Sequence, residues 1–304
     1  MNIKLIFTSI NKNLGIIHNL AFLCVLLFFV TPIVQAQEPV SNLGVDRSFD
    51  LSKNVVIHTK IYGEGTPIII LPGLGGSGIE QFAEYGPLIA DSGYTVVLVD
   101  PRGIGESKGS LDSLTLHDLA ADIAGLVKKL DLGKAVIIGR AFGNRVARCV
   151  AADYPEVTKA VVLIAAGGLV PIHKDIEHDF KKLISGNYSD DKELLELIQK
   201  TQFSPKSDAA LYPRNSFYKE VGDAQWSTRL STPYNDWWSA GKAPVLIIQG
   251  LDDLIAVPEN GRILKMELGH RAELVEISDA GHSLYIEKPN EIVEAILEYL
   301  QTLN

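Results

Sequence analysis

The chain has 304 residues, with 28 basic and 37 acidic side chains, for a net charge of −9. That acidic balance argues against nucleic acid or an anionic membrane surface as a partner. A hydrophobic content of 46% is that of an ordinary globular protein, and two cysteines exclude a disulfide framework.

Residues 1–36 read as a Sec-type export signal. Lys4 and Lys12 stand in a basic leader without acids, an apolar run follows over residues 20–34 (LAFLCVLLFFVTPIV), and Val34-Gln35-Ala36 supplies a cleavage-like end. An uncleaved anchor is the competing reading, because the apolar stretch extended back to Leu14 approaches spanning length. Pro32 and the VQA end favour removal, and Cys24 has no lipobox-like context. Loss of the leader takes away two lysines and no acid, so the net charge moves from −9 to −11. Cys149 is then the only cysteine, so no internal disulfide can form and the core alone must hold the fold. The expectation is an exported protein, periplasmic or secreted, with no stable membrane association after cleavage.

Residues 55–62 alternate moderately and predict a half-exposed strand. Residues 67–71 (PIIIL), 94–100 (YTVVLVD), 135–138 (AVII), 160–165 (AVVLIA) and 244–248 (PVLII) are unbroken apolar runs, and 274–277 (LVEI) is a weaker one. Runs without alternation fit strands covered on both faces, as in a parallel sheet. Helical patterns separate them at residues 80–92, 116–130, 144–153 and 290–300. That alternation specifies an α/β fold. Residues 170–240 hold helical stretches at 175–184 and 192–201 but no buried strand, which predicts a helical cap over the carboxyl ends of the strands.

Two readings compete at Pro72-Gly73-Leu74-Gly75-Gly76-Ser77-Gly78. Gly73, Gly75 and Gly78 match a G-x-G-x-x-G dinucleotide turn, with Asp100 ending the next strand. Pro72 is an odd residue for a tight phosphate turn, and export would separate the protein from cytoplasmic NAD.

The second reading covers the chain from Val55 to Leu300. Pro72-Gly73-Leu74 resembles the oxyanion loop of the α/β-hydrolase superfamily. Residues 100–107 (DPRGIGES) resemble its D-x-R-G-x-G-x-S segment, and Gly139-Arg140-Ala141-Phe142-Gly143 stands at its nucleophile elbow, normally G-x-S-x-G. Gly250-Leu251-Asp252-Asp253 is similar to the turn that presents the triad acid, and Gly281-His282 to the histidine loop. The resemblance implies an α/β-hydrolase fold: a mostly parallel sheet flanked by helices, core residues 37–169 and 241–304, and a cap of residues 170–240 inserted after the sixth strand. It implies no cofactor and no metal.

Alanine at 141 has no lone pair to attack a carbonyl, and loss of the serine from a working triad costs about a million-fold in turnover. Ser77 and Ser283 lie on loops expected near the site and are candidate displaced nucleophiles, whereas Cys149 falls two turns down the helix. His282 is the candidate base and Asp253 its orienting acid, with Asp252 as the alternative. The backbone N–H groups of Leu74 and Phe142 are the expected oxyanion donors. Arg140 is a possible substrate contact or ion-pair partner. Trp226, Trp237 and Trp238 either line a pocket, with Trp237 a possible substrate contact, or form the cap's own small core.

Three functions stay open. The first is a cofactor-free enzyme using His282 as general base on a small molecule, by non-covalent hydrolysis, lyase or proton-abstraction chemistry. The second is a non-catalytic ligand-binding protein, and the third an esterase with a displaced serine. The residues do not specify an oligomeric state or a substrate.

Overall fold

The computed structural model describes residues 43–213 and 217–303; the expected export leader lies outside them. Eight strands form one sheet: β1 (Val45–Ser52), β2 (Val55–Tyr62), β3 (Thr66–Leu71), β4 (Tyr94–Val99), β5 (Ala135–Arg140), β6 (Thr158–Ile164), β7 (Val245–Gly250) and β8 (Ala272–Ile277). Their spatial order is β1-β2-β4-β3-β5-β6-β7-β8. Only the β1/β2 and β2/β4 pairs are antiparallel, and β3 onward is parallel.

The unbroken apolar runs have the expected cause. In β3 and β4, Ile69, Leu71, Val97 and Val99 enter one core, while Ile68, Ile70, Val96 and Leu98 enter the other. Both faces are therefore covered, and each fully buried Ile or Leu contributes roughly 1.5–3 kcal/mol.

The helices pack in two layers. After β3 come α1 (Gly78–Gln81) and α2 (Tyr85–Ala90), and after β4 comes α3 (Leu116–Leu130). Helix α4 (Phe142–Asp153) follows β5. Between β6 and β7 lie α5 (Glu177–Ser185), α6 (Asp191–Gln202), α7 (Lys219–Ser231) and α8 (Tyr234–Trp237), all within the expected cap. Helix α9 (Glu259–Leu268) precedes β8, and α10 (Leu284–Glu287) and α11 (Pro289–Thr302) follow it. Helices α3, α4 and α9 supply the first core, and α2 and α11 the second.

The sequence pattern differs from the structure in several places, among them the unexpected helices α7 and α9. The helix expected over 80–92 is split, because Phe82 leaves helical geometry as the C-cap of α1 before α2 begins. Strand β1 was not expected. Among its residues only Phe49 is buried, so it carries almost no apolar signal.

Candidate functional site

The site is built on the junction of β5 and α4. Ala141 is the residue between them, with φ 48° and ψ −109°, a conformation that costs a non-glycine residue on the order of 1–3 kcal/mol. Its neighbours must be small. A Cβ at Gly143 would stand 2.5 Å from the Pro72 carbonyl oxygen and 2.8 Å from that of Leu71, and one at Gly139 would stand 2.6 Å from the Asn144 amide nitrogen. The Asn144 side chain donates to the Ala141 carbonyl and accepts from Arg148, a fully buried cation. Arg148 also donates to the Gly167 carbonyl at 2.6 Å and lies 4.6 and 4.5 Å from the ring centroids of Trp237 and Trp238. This network holds the strained turn from below.

The facing histidine comes from the loop after β8. His282 Nδ1 lies 2.9 Å from Asp253 Oδ2, and the Asp253 side chain has no solvent exposure. The other Asp253 oxygen accepts the amides of Ile255 and Ala256, each at 2.8 Å. The carboxylate is thus held by its own turn, and the pairing leaves Nε2 as the ring nitrogen available to the cavity. Asp252 points elsewhere: its Oδ2 accepts from Ser204 Oγ at 2.7 Å.

Ala141, His282, Leu74 and Phe142 share the wall of one cavity of about 540 Å³, lined also by Phe180 of α5 and Trp226 of α7. That volume suits a small organic ligand. Phe142 is the first residue of α4, so its N–H has no partner within the helix. The amides on either side of Leu74 are occupied, Gly73 by Gln81 Oε1 at 3.1 Å and Gly75 by Gln225 Oε1 at 2.8 Å. Gln225 belongs to α7, and the Tyr218 amide returns a bond to the Gly75 carbonyl at 2.8 Å. Gln225 and Tyr218 therefore fix the turn that carries Leu74.

The cavity wall is electropositive. Glu177 is neutralised by Lys181 at 2.6 Å, whereas Arg145 and Arg229 have no carboxylate within ion-pair distance among the described residues. Each instead lies over an indole, Arg145 5.0 Å from Trp237 and Arg229 4.1 Å from Trp226. Burial, with the repulsion of Arg229 second, lowers the Arg145 guanidinium to about 10, so it stays charged at neutral pH.

Several sequence-predicted residues stand apart from the cavity wall. Arg140 ends β5 but turns beneath the histidine loop. Its guanidinium lies 4.3 Å from the Tyr285 ring centroid and donates to the His282 carbonyl at 3.3 Å, so it contacts the protein rather than the cavity. Trp237 lies under α4 between Arg145 and Arg148, in the same core as Trp238, and only Trp226 of the three tryptophans lines the cavity. Ser77 caps α1 and donates to Asp100 Oδ1 at 2.6 Å. That bond also occupies the acid the dinucleotide reading required. Ser283 is fully buried and faces Gln202.

Sequence reasoning missed Arg145, Arg148, Arg229 and Gln225. Arg145 and Arg148 carried a readable signal, two cations three residues apart in the helix that follows the Gly139–Gly143 turn.

The sequence profile of the alpha/beta hydrolase fold matches residues 66–195 and 199–289. The chain belongs to that family. Among its relatives is BpoC of Mycobacterium tuberculosis, named for non-heme bromoperoxidase chemistry, 24% identical over 79% of this chain and 96% of that protein. Another is a 2-hydroxy-6-oxo-6-phenylhexa-2,4-dienoate hydrolase of Comamonas testosteroni, 26% identical over 83% and 93%. The solved esterase EaEST of Exiguobacterium antarcticum superposes with a TM-score of 0.71, at 17% identity over 84% of this chain and all of its own. The alpha/beta hydrolase family thus accounts for the fold from β3 to the start of α11.

Proposed function

We propose that the chain is an exported enzyme of this family that performs general-base chemistry on a small carbonyl compound without forming an acyl-enzyme. In this reading Ala141 stands where the family's nucleophile would be. His282, with Nδ1–H donated to Asp253, accepts a proton at Nε2 from a water beside the Ala141 methyl, or from a carbon next to the substrate carbonyl. Charge developing on the carbonyl oxygen is met by the N–H groups of Leu74 and Phe142, two residues of the same cavity wall. The imidazolium then returns its proton to the leaving group or the enolate, and no bond to the protein forms.

The observation that carries this reading is the Asp253–His282 pair, buried on the wall of a ligand-sized cavity beside an apex residue with only a methyl group. Ser77 and Ser283 do not favour a displaced nucleophile, since both hydroxyls face other partners and neither lines the cavity. Arg145 and Arg229, without a carboxylate partner among the described residues, point to a carboxylate on the substrate. The name of the Comamonas relative, a dienoate hydrolase, is consistent with that choice.

The test is a panel of esters, lactones and enolisable ketones, each as its carboxylate and its amide, given to wild type, Ala141→Ser and His282→Ala. Turnover and deuterium exchange next to the carbonyl are followed by NMR. The expected result is wild-type activity on carboxylates that does not require Ala141→Ser and is lost by about 10²-fold or more in His282→Ala. Retained activity in His282→Ala would overturn the proposal. Tight carboxylate binding with neither turnover nor exchange would replace it with a ligand-binding role. Export is checked by cell fractionation, with periplasmic or secreted chain beginning after Ala36 as the expected product.

A further inference from the structure

Away from the cavity, three helices meet around a second cluster of side chains. His117 lies in the first turn of α3, and Cys149 and Asp153 stand four residues apart on one face of α4. The edges of this triangle are short: Cys149 Sγ to His117 Nδ1 3.6 Å, Cys149 Sγ to Asp153 Oδ2 3.5 Å, and His117 Nδ1 to Asp153 Oδ2 2.7 Å. On the far side of the imidazole, Asp236 of α8 places its Oδ2 3.3 Å from Nε2.

From these distances we infer that Cys149, His117 and Asp153 form a binding site for a divalent ion of the zinc class. Zinc is held by thiolate at about 2.3 Å, imidazole nitrogen at about 2.0–2.1 Å and carboxylate oxygen at about 2.0 Å in a tetrahedral array. Tetrahedral angles then separate sulfur from nitrogen by about 3.6 Å, sulfur from oxygen by about 3.5 Å and nitrogen from oxygen by about 3.3 Å. Two of the three edges already have these lengths. The third opens by about 0.6 Å when the ion replaces the proton shared by His117 and Asp153.

The surroundings fit the same ion. Asp236 does for His117 what outer carboxylates do for metal-bound histidines: it takes the other ring N–H, fixes the tautomer and makes the ligating nitrogen more basic. A thiolate beside an imidazole and a carboxylate suits zinc rather than magnesium or calcium. Cys149 is fully buried, so the sulfur is protected, while the side chains of His117 and Asp153 are 42% and 26% exposed. Entry and a fourth, water ligand are available on that side. Binding expels the thiol proton, which burial and Asp153 otherwise hold well above the usual thiol range. The ion would pin α3 to α4 and, through Asp236, the last helix of the cap. It lies outside the cavity wall, so its role is structural, and the site is independent of the proposed reaction.

The test uses the full chain, stripped with chelator and dialysed against micromolar zinc. Retained metal is measured by mass spectrometry, and cobalt(II) is added in parallel to reveal thiolate-to-metal charge-transfer absorption. Wild type should retain one zinc per chain, show the cobalt–thiolate band and melt at a higher temperature with zinc. His117→Asn should lose all three effects, and its exposed position keeps the test open if Cys149→Ser fails to fold. Asp236→Asn should weaken zinc binding by about 10- to 100-fold. Failure of wild type to retain zinc, equal retention by His117→Asn, or a cobalt spectrum without the thiolate band would each overturn the assignment.

Discussion

Replacing Asp253 by Asn tests the base most sharply, because the structure fixes what the new amide can do. One Asp253 oxygen already accepts two backbone N–H groups at 2.8 Å, so the Asn carbonyl must take that side. Its NH₂ then faces His282 Nδ1, which becomes an acceptor, and the imidazole proton moves to Nε2. The ring keeps its place and loses its basic edge toward the cavity. In a serine-protease triad the same change lowers turnover about 10⁴-fold, equivalent to about 5.4 kcal/mol at 1.36 kcal/mol per decade. Folding stability should change far less, by about 1 kcal/mol, since the hydrogen bonds are replaced rather than removed. The assay pairs turnover on the carboxylate panel with ¹⁵N NMR of the ring, where the proton should shift from Nδ1 to Nε2. Turnover within tenfold of wild type, with the tautomer switched, would refute the role given to His282.

Two other perturbations follow from the same structure. Gly143→Ala puts a Cβ 2.5 Å from the Pro72 carbonyl oxygen, a backbone atom that cannot rotate away, and should destabilise the fold by about 3 kcal/mol in urea titration. A loss below about 0.5 kcal/mol would show that the elbow is looser than described. In the cap, the bonds from Lys182 and Ser189 lower Glu193 to about 2. A depressed carboxylate stabilises the fold above its ordinary range, and that contribution is lost as pH falls through the native value near 2. Carbon NMR should find this midpoint in wild type and a higher one in Lys182→Gln; equal midpoints would contradict the pairing.

Much of the scaffold was legible because strands β3 to β7 are covered on both faces and therefore read as continuous apolar runs. Strand β1 was not, since an edge strand with one buried residue leaves no pattern, and α7 is too polar to announce itself. The sharp turn between β5 and α4 was legible from Gly139 and Gly143. What the sequence could not supply was direction. Arg140 sits next to the apex yet turns beneath the histidine loop, and Trp237 belongs to the cap segment but packs under α4. Ser77, a plausible nucleophile by position, caps a helix instead. The arginines of the cavity and the His117–Cys149–Asp153 cluster depend on helices brought together by the fold, which spacing along one chain does not reveal.

The most direct measurement of the central claim is labelling with a fluorophosphonate, which reports an activated hydroxyl without knowledge of the substrate. Wild type should remain unlabelled, and Ala141→Ser should take up the probe at residue 141 in a manner abolished by His282→Ala. Stoichiometric labelling of the wild-type chain, or a folded Ala141→Ser protein that stays silent, would contradict an intact base and oxyanion site built around an apex that carries only a methyl group.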